Sequence, residues 1–208
     1  MLTKAKIAVL VSGGGTNLQA LIDAQNSGVI ASGKICAVIS DMENAYALKR
    51  AKKSGIDGYC ILKKDYACNL EFEEKICSVL QQKQTDIIVL AGFLSILSEQ
   101  FTKKYANRII NVHPSLIPSF CGKGFYGLKV HKAALDYGVK ITGATVHFVN
   151  EIPDGGKIIM QKAVEVKEDD TPEILQRRVM EQAEWIILPR AVEKVCSDIV
   201  KGEHRRNL

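Results

Sequence analysis

The chain has 208 residues, 47% of them hydrophobic and 25% charged, which fits one soluble globular domain that buries a large core without staples. Its net charge of +5 suits anionic small substrates. Nucleic acid is excluded as the expected partner, because Lys and Arg are spread through stretches such as "LKRAKKSG" and cluster only in a terminal "HRR".

"KIAVLV" (6–11) is a short continuous apolar run, the pattern of a strand buried on both faces. "TNLQALIDAQNSG" (16–28) places Leu18, Leu21 and Ile22 on one helical face, with Gly28 as its stop. "KICAVIS" (34–40) reads as a strand, "NAYALKRAKKSG" (44–55) as a helix and "GYCIL" (58–62) as a weaker strand. "NLEFEEKICSVLQQK" (69–83) is an amphipathic helix, "DIIVLAG" (86–92) a strand, "SEQFTKKYAN" (98–107) a short helix and "RIINVH" (108–113) a fifth strand. Strand and helix in alternation predict an α/β fold, a mostly parallel twisted sheet with helices on both faces. Beyond a glycine-rich stretch, "LKVHKAALDYG" reads as a helix. "ITGATVHFV" (141–149) and "GKIIMQKAVEV" (156–166) read as two longer strands in an antiparallel or edge pair. A last helix begins with Thr171 as its cap and Pro172 in its first turn, and Pro189 is expected to kink or split it.

The N-terminal apolar run is too short for a signal peptide, and "DIIVLAGFLSILSE" is too short to span a membrane. Six cysteines without C-x-x-C spacing predict reduced thiols, Cys36 and Cys77 buried or half-buried, and a cytoplasmic protein. No His, Cys and carboxylate set has metal-ligand spacing, so no metal is expected.

Three loops carry candidate chemistry. In "SGGGTN" (12–17), glycines let the backbone approach a ligand, and the helix N-terminus offers free N–H groups to an anion. It is neither a Walker loop nor a dinucleotide fingerprint, which leaves a phosphate cradle at Gly15, Thr16 and Asn17, or simply a tight turn. In "NVHPSL" (111–116), Asn111 and His113 lie one residue apart at a strand end and project to the same face. The amide can donate to an oxyanion and the imidazole can exchange a proton; the alternative is a histidine that merely caps turn carbonyls. In "NEIPDGG" (150–156), Asp154 has the composition of an ordinary turn, but beside the fifth strand it would hydrogen-bond His113 and raise its pKa. His147 lies in a strand and could also approach this pair, with a structural role in the sheet the favoured reading, and His131 lies on a helix.

With these loops in this order the chain resembles the phosphoribosylglycinamide formyltransferases. The matching stretches are "VLVSGGGTNLQALID", "DIIVLAGFLSILS", "NVHPSLIPSFCGKGFYGLKVHKAAL", "GATVHFVNEIPDGGKIIMQ" and the "EW..LP" region. The resemblance implies a Rossmann-like formyltransferase fold in a single domain, 1–208. Residues 1–110 would form a phosphate-binding half and 111–208 a catalytic and folate-binding half. It implies formyl transfer from 10-formyltetrahydrofolate, as co-substrate, to the amine of glycinamide ribonucleotide in purine synthesis.

Asn111, His113 and Asp154 match the catalytic trio; Gly15, Thr16, Asn17, Glu181 and Glu184 match positions that hold the ribonucleotide. Asn69, Leu94, Ser95, Ile96, Leu97, Asn111, Asn150, Glu151, Ile152 and Pro153 match positions at the folate. Ser95 and Asn69 stand where the family often carries arginine, and Trp185 where it often carries histidine; the first two bear on how the folate tail is held. A methionyl-tRNA formyltransferase, expected to continue into an RNA-binding domain, and a formyltetrahydrofolate hydrolase, expected to carry an extra N-terminal domain, share the catalytic half. A non-catalytic nucleotide-binding module using only "SGGGTN" is a third alternative. The partners expected are small molecules, with no membrane, and a homodimer is compatible with the sequence.

Overall fold

The computed structural model describes residues 4–203, so the "HRR" cluster lies outside the described residues. Strand and helix alternate as β1 (Ala5–Val11), α1 (Thr16–Asn26), β2 (Gly33–Ser40), α2 (Tyr46–Lys53), β3 (Gly58–Cys60), α3 (Asn69–Gln82), β4 (Ile87–Leu90), α4 (Glu99–Lys104) and β5 (Ile109–His113). α5 (Leu128–Tyr137), β6 (Ile141–Phe148), β7 (Ile158–Glu165), α6 (Pro172–Val179) and α7 (Trp185–Val200) follow.

The strands form one sheet in the order β3-β2-β1-β4-β5-β6-β7. The first five are parallel, whereas β6 pairs antiparallel with both β5 and β7. Alternation explains why β1 is apolar throughout. Ile7, Val9 and Val11 pack under α1, α2, α6 and α7, while Ala8 and Leu10 pack under α3 and α4.

Chain order reverses between β1 and β4, the place where open α/β sheets bind ligands beyond the carboxyl ends of their strands. The loops after these strands are tied together there. The Ser12 amide donates to the Gly92 carbonyl at 3.0 Å, and the Leu94 amide to Ser12 Oγ at 2.8 Å.

The last helix breaks elsewhere than expected. Pro189 sits inside α7, and the irregularity is a π-helical turn at Met180–Glu184. A proline ring crowds the carbonyl four residues back, here Trp185, so the distortion falls in the turn before it. Among the described residues no helix is long and apolar enough to cross a membrane. All six cysteines are free; Cys77 is buried and Cys36 half-buried.

Candidate active site

Gly15 precedes α1 with φ 71°, a left-handed conformation, and a Cβ there would meet the Ala47 Cβ at 2.6 Å. No side chain caps the helix, so the amides of Thr16 and Asn17 are free to receive an anion. Arg50, which sequence reasoning left among the scattered basic residues, braces this loop from α2. Its Nε donates to the Gly14 carbonyl at 2.9 Å and one terminal nitrogen donates to Gln19 Oε1 at 3.0 Å. The signal is not in the sequence, because nothing local says which face of α2 meets the glycines.

The Asn17 side chain turns inward, and its Nδ2 donates to Glu184 Oε2 at 2.7 Å, joining the first helix to the last. Glu184 is 6% exposed, and burial pushes its carboxyl up to about 7 against the Asn17 hydrogen bond. Glu181 is not brought to this group. It is exposed, and its Oε1 accepts from Arg177 Nε at 2.8 Å.

Asn111, His113 and Asp154 do converge. β5 lines up against β6 with Asn111 opposite His147 and His113 opposite Thr145, so alternate residues of both strands share one face. His113 is 4% exposed, its Nδ1 3.4 Å from Asp154 Oδ2 and its Nε2 2.9 Å from the Phe120 carbonyl. A carbonyl only accepts, so Nε2 carries the proton. The Gly122 amide donates to Asp154 Oδ2 at 2.8 Å. The glycine-rich 119–127 loop therefore grips both members of the pair.

His147 was expected to be structural, yet its Nε2 lies 3.5 Å from Asp154 Oδ1 and 3.2 Å from Asn111 Nδ2. Its Nδ1 donates to the Phe148 carbonyl at 2.7 Å, which leaves Nε2 as an acceptor for one N–H of Asn111. The signal for it was period-two alternation with Thr145, legible only once β6 is paired with β5. His131 stays out of this network. It is buried in α5, and burial, with a smaller effect from nearby His113, pushes it down to about 4.

Asp154 does act to raise the pKa of His113 as expected, but the net shift runs the other way. Burial outweighs both Asp154 and the Phe120 carbonyl, and the imidazole falls below its ordinary value. Burial acts to raise Asp154, but His147, the Gly122 amide and His113 together leave that carboxyl lowered. The resting pair is thus a neutral imidazole facing a carboxylate. A proton arriving at Nδ1 would find an acceptor at each ring nitrogen.

A cavity of about 140 Å³ opens on this cluster, lined by Phe93, Ser95–Leu97, Thr102, Asn111, His147 and 149–154. It gathers Ser95, Ile96, Leu97, Asn150, Glu151, Ile152 and Pro153 as expected. Leu94 is 66% exposed and does not line it, and Asn69 is turned along α3, its Nδ2 donating to Glu73 Oε1 at 2.8 Å. Among the described residues no group of three His, Cys, Asp or Glu could hold a metal ion.

A neutral base, a carboxylate and an amide donor beside an anion cradle suit acyl transfer to an amine, and comparison with known proteins gives that chemistry a class. The family model described as "Formyl transferase" matches residues 5–192, so the chain is a formyl transferase, a family whose chemistry implies a folate-type formyl donor. A phosphoribosylglycinamide formyltransferase of Haemophilus influenzae is 44% identical over 188 residues, covering 90% of this chain and 85% of the relative. The trifunctional purine biosynthetic protein adenosine-3 of Homo sapiens is 44% identical over 97% of this chain, which spans only 19% of that protein. A crystal structure of glycinamide ribonucleotide transformylase 1 from Symbiobacterium toebii superposes with a TM-score of 0.87 at 38% identity, covering 97% of this chain and 90% of that one. Within the family, the chain belongs to the phosphoribosylglycinamide formyltransferases.

Proposed function

We propose that the chain transfers the formyl group of 10-formyltetrahydrofolate to the amine of glycinamide ribonucleotide, and that Asn111, His113 and Asp154 carry the step. The observation behind this reading is the buried His113 imidazole held between the Phe120 carbonyl and Asp154, with Asp154 and Asn111 lining one cavity. The amine nitrogen attacks the formyl carbon, and the carbonyl oxygen takes up the electron pair. Asn111 gives one N–H to His147 and has a second for that oxygen, a donor placed where charge develops. His113 Nδ1 accepts the proton the amine loses, and Asp154 stabilises the imidazolium as it forms. When the intermediate collapses, the carbon–N10 bond breaks and N10 of the folate takes the proton from His113. The phosphate of the ribonucleotide sits on the Thr16 and Asn17 amides, and Glu184 accompanies Asn17 at the ribose side. This anchoring turns the amine toward the formyl carbon, the proximity part of catalysis.

In this reading residues 1–110 hold the phosphate and 111–208 carry out the chemistry, with two exchanges. Ser95–Leu97 reach across to the folate head and Glu184 returns to the phosphate side. The six free thiols support a cytoplasmic setting.

The deciding assay mixes the protein with 10-formyltetrahydrofolate and either glycinamide ribonucleotide, charged initiator tRNA or water alone. Formylation of the ribonucleotide is expected. Formylation of the tRNA alone, or formate release without an acceptor, would replace this reading.

A further inference from the structure

The loop that grips His113 and Asp154 holds one residue in an unexpected conformation. Phe120 adopts φ 49°. A bulky residue in the left-handed region is an outlier, and phenylalanine lacks the short polar side chain by which Asn or Asp supports itself there. Glycine fills the neighbouring positive-φ positions, Gly122 at 88° and Gly124 at 94°. Phenylalanine at 120 therefore needs a reason beyond the turn, for such a conformation persists only where its surroundings over-determine it.

The reason lies in its ring and its carbonyl. The ring makes edge-to-face contacts with Phe125, centroids 6.5 Å apart, and with Tyr137 at the end of α5, centroids 6.0 Å apart. Both distances fall where such pairs attract. The carbonyl accepts from His113 Nε2 at 2.9 Å, with Ser115 Oγ a longer second donor at 3.4 Å. A neutral imidazole has one proton, and here two acceptors compete for it. The Asp154 carboxylate, 3.4 Å from Nδ1, draws the proton to that nitrogen, whereas the Phe120 carbonyl draws it to Nε2. Only the second tautomer leaves Nδ1 bare. The other imidazoles do not decide between them. His147 turns its Nε2 to Asp154 Oδ1 and Asn111, and both ring nitrogens of His131 are without a partner.

We propose that Phe120 is a positioning residue for the transfer: its ring, clamped by Phe125 and Tyr137, keeps the backbone left-handed and the carbonyl on His113 Nε2, so that Nδ1 stays free. The proposal rests on the reading of His113 as the base. It extends the requirements of the site to Tyr137, which is 80% exposed and does not line the cavity.

The test compares Phe120→Ala with Phe120→Gly, and Tyr137→Ala with Tyr137→Phe. Both changes at 120 remove the ring, but glycine enters the left-handed region freely whereas alanine resists it. Against the native chain, kcat is expected to fall about 10- to 30-fold in Phe120→Ala and only about two- to fivefold in Phe120→Gly. KM for both substrates stays within about threefold, because Phe120 positions the base rather than the ligands. A mere packing role predicts the reverse order, since glycine is the more disruptive of the two small residues. Tyr137→Phe keeps the ring contact and the native kcat, and Tyr137→Ala, at an exposed position, loses about two- to fivefold. In the kcat–pH profile the acid limb of Phe120→Ala moves to lower pH. The imidazolium there loses its acceptor at Nε2, while Asp154, His147 and His131 are unchanged. Nitrogen-15 NMR of the free protein, above the His113 pKa, reads the tautomer without substrate. The proton is expected on Nε2 in the native chain and Tyr137→Phe, and shifted toward Nδ1 in Phe120→Ala and Tyr137→Ala. This measurement tests the clamp even if formyl transfer to the ribonucleotide fails. A native His113 protonated at Nδ1, a Phe120→Gly chain no better than Phe120→Ala, or an acid limb that stays in place overturns the proposal. So does a Tyr137→Ala chain that matches the native one in both kcat and tautomer.

Discussion

Asp154 adopts φ 57°, a left-handed conformation that asparagine tolerates as well as aspartate does, so Asp154→Asn removes the charge and spares the turn. With the carboxylate gone, burial of His113 is opposed only by the Phe120 carbonyl, and its pKa falls further. Because the base works as the neutral imidazole, activity rises with pH through the His113 pKa. In the variant that acid limb moves to lower pH, while kcat drops by about 10²-fold or more as the imidazolium loses its partner. A kcat–pH profile of both proteins checks this, and a limb moving upward would assign Asp154 another role. Glu184 gives a second prediction. Its folded pKa of about 7 lies above the ordinary 4.5, so the neutral carboxyl fits the fold. Its contribution to stability is full below the unfolded pKa and is lost as pH rises toward the folded one. Glu184→Gln keeps an acceptor for Asn17 and stays neutral. Its stability should match the native one near pH 4.5 and exceed it increasingly up to about pH 7, levelling off above that at no more than about 3 kcal/mol. Thermal unfolding across that range decides it, and a gap independent of pH would contradict it.

The segment after β5 is held by a residue that strand pairing supplies. Thr145 Oγ1 donates to the Ser115 carbonyl at 2.7 Å and accepts from the Ile117 amide at 3.1 Å and Gln161 Nε2 at 3.0 Å. Replacing it with valine keeps the shape and strands these groups in the interior, which costs about 1–3 kcal/mol. A melting temperature lower by about 2–10 °C is expected in Thr145→Val, with a fall in kcat because His113 precedes the loosened segment. Differential scanning calorimetry with a single-turnover assay would separate the two effects. The turn that carries Asp154 is constrained in the same way, for a Cβ on Gly156 would lie 1.7 Å from the Phe148 carbonyl. Element boundaries were largely legible beforehand. β1 was apolar throughout because it is covered on both faces, and "LKVHKAALDYG" forms α5 as its pattern required. The last helix was read less well. The effect of Pro189 falls on the preceding turn, and packing against Asn17 holds Glu184 there.

At the scale of the whole molecule, the site is a seam. The glycine loop proposed as the anion cradle follows β1, the cavity proposed for the folate head opens beside β4 and β5, and Glu184 returns from the far end of the chain to Asn17. A ligand spanning the seam ties together elements that separate on unfolding. Glycinamide ribonucleotide at a hundred times its Kd is therefore expected to stabilise the fold by about 2.7 kcal/mol, or a rise in melting temperature of about 5–10 °C. Absence of any rise at saturating ribonucleotide would contradict the cradle at residues 15–17. The sequence alone determined the alternation of strands and helices and the glycine turn before α1, because these rest on local period and backbone freedom, and it offered Asn111, His113 and Asp154 as candidates only. Tertiary structure alone decided that His147 joins the cluster, that Glu181 stays outside and that Arg50 braces the glycine loop. It also decided that His113 is lowered rather than raised, since a pKa depends on how much water remains around the ring. The sequence names the carboxylate partner, and only the packed fold says that burial outweighs it.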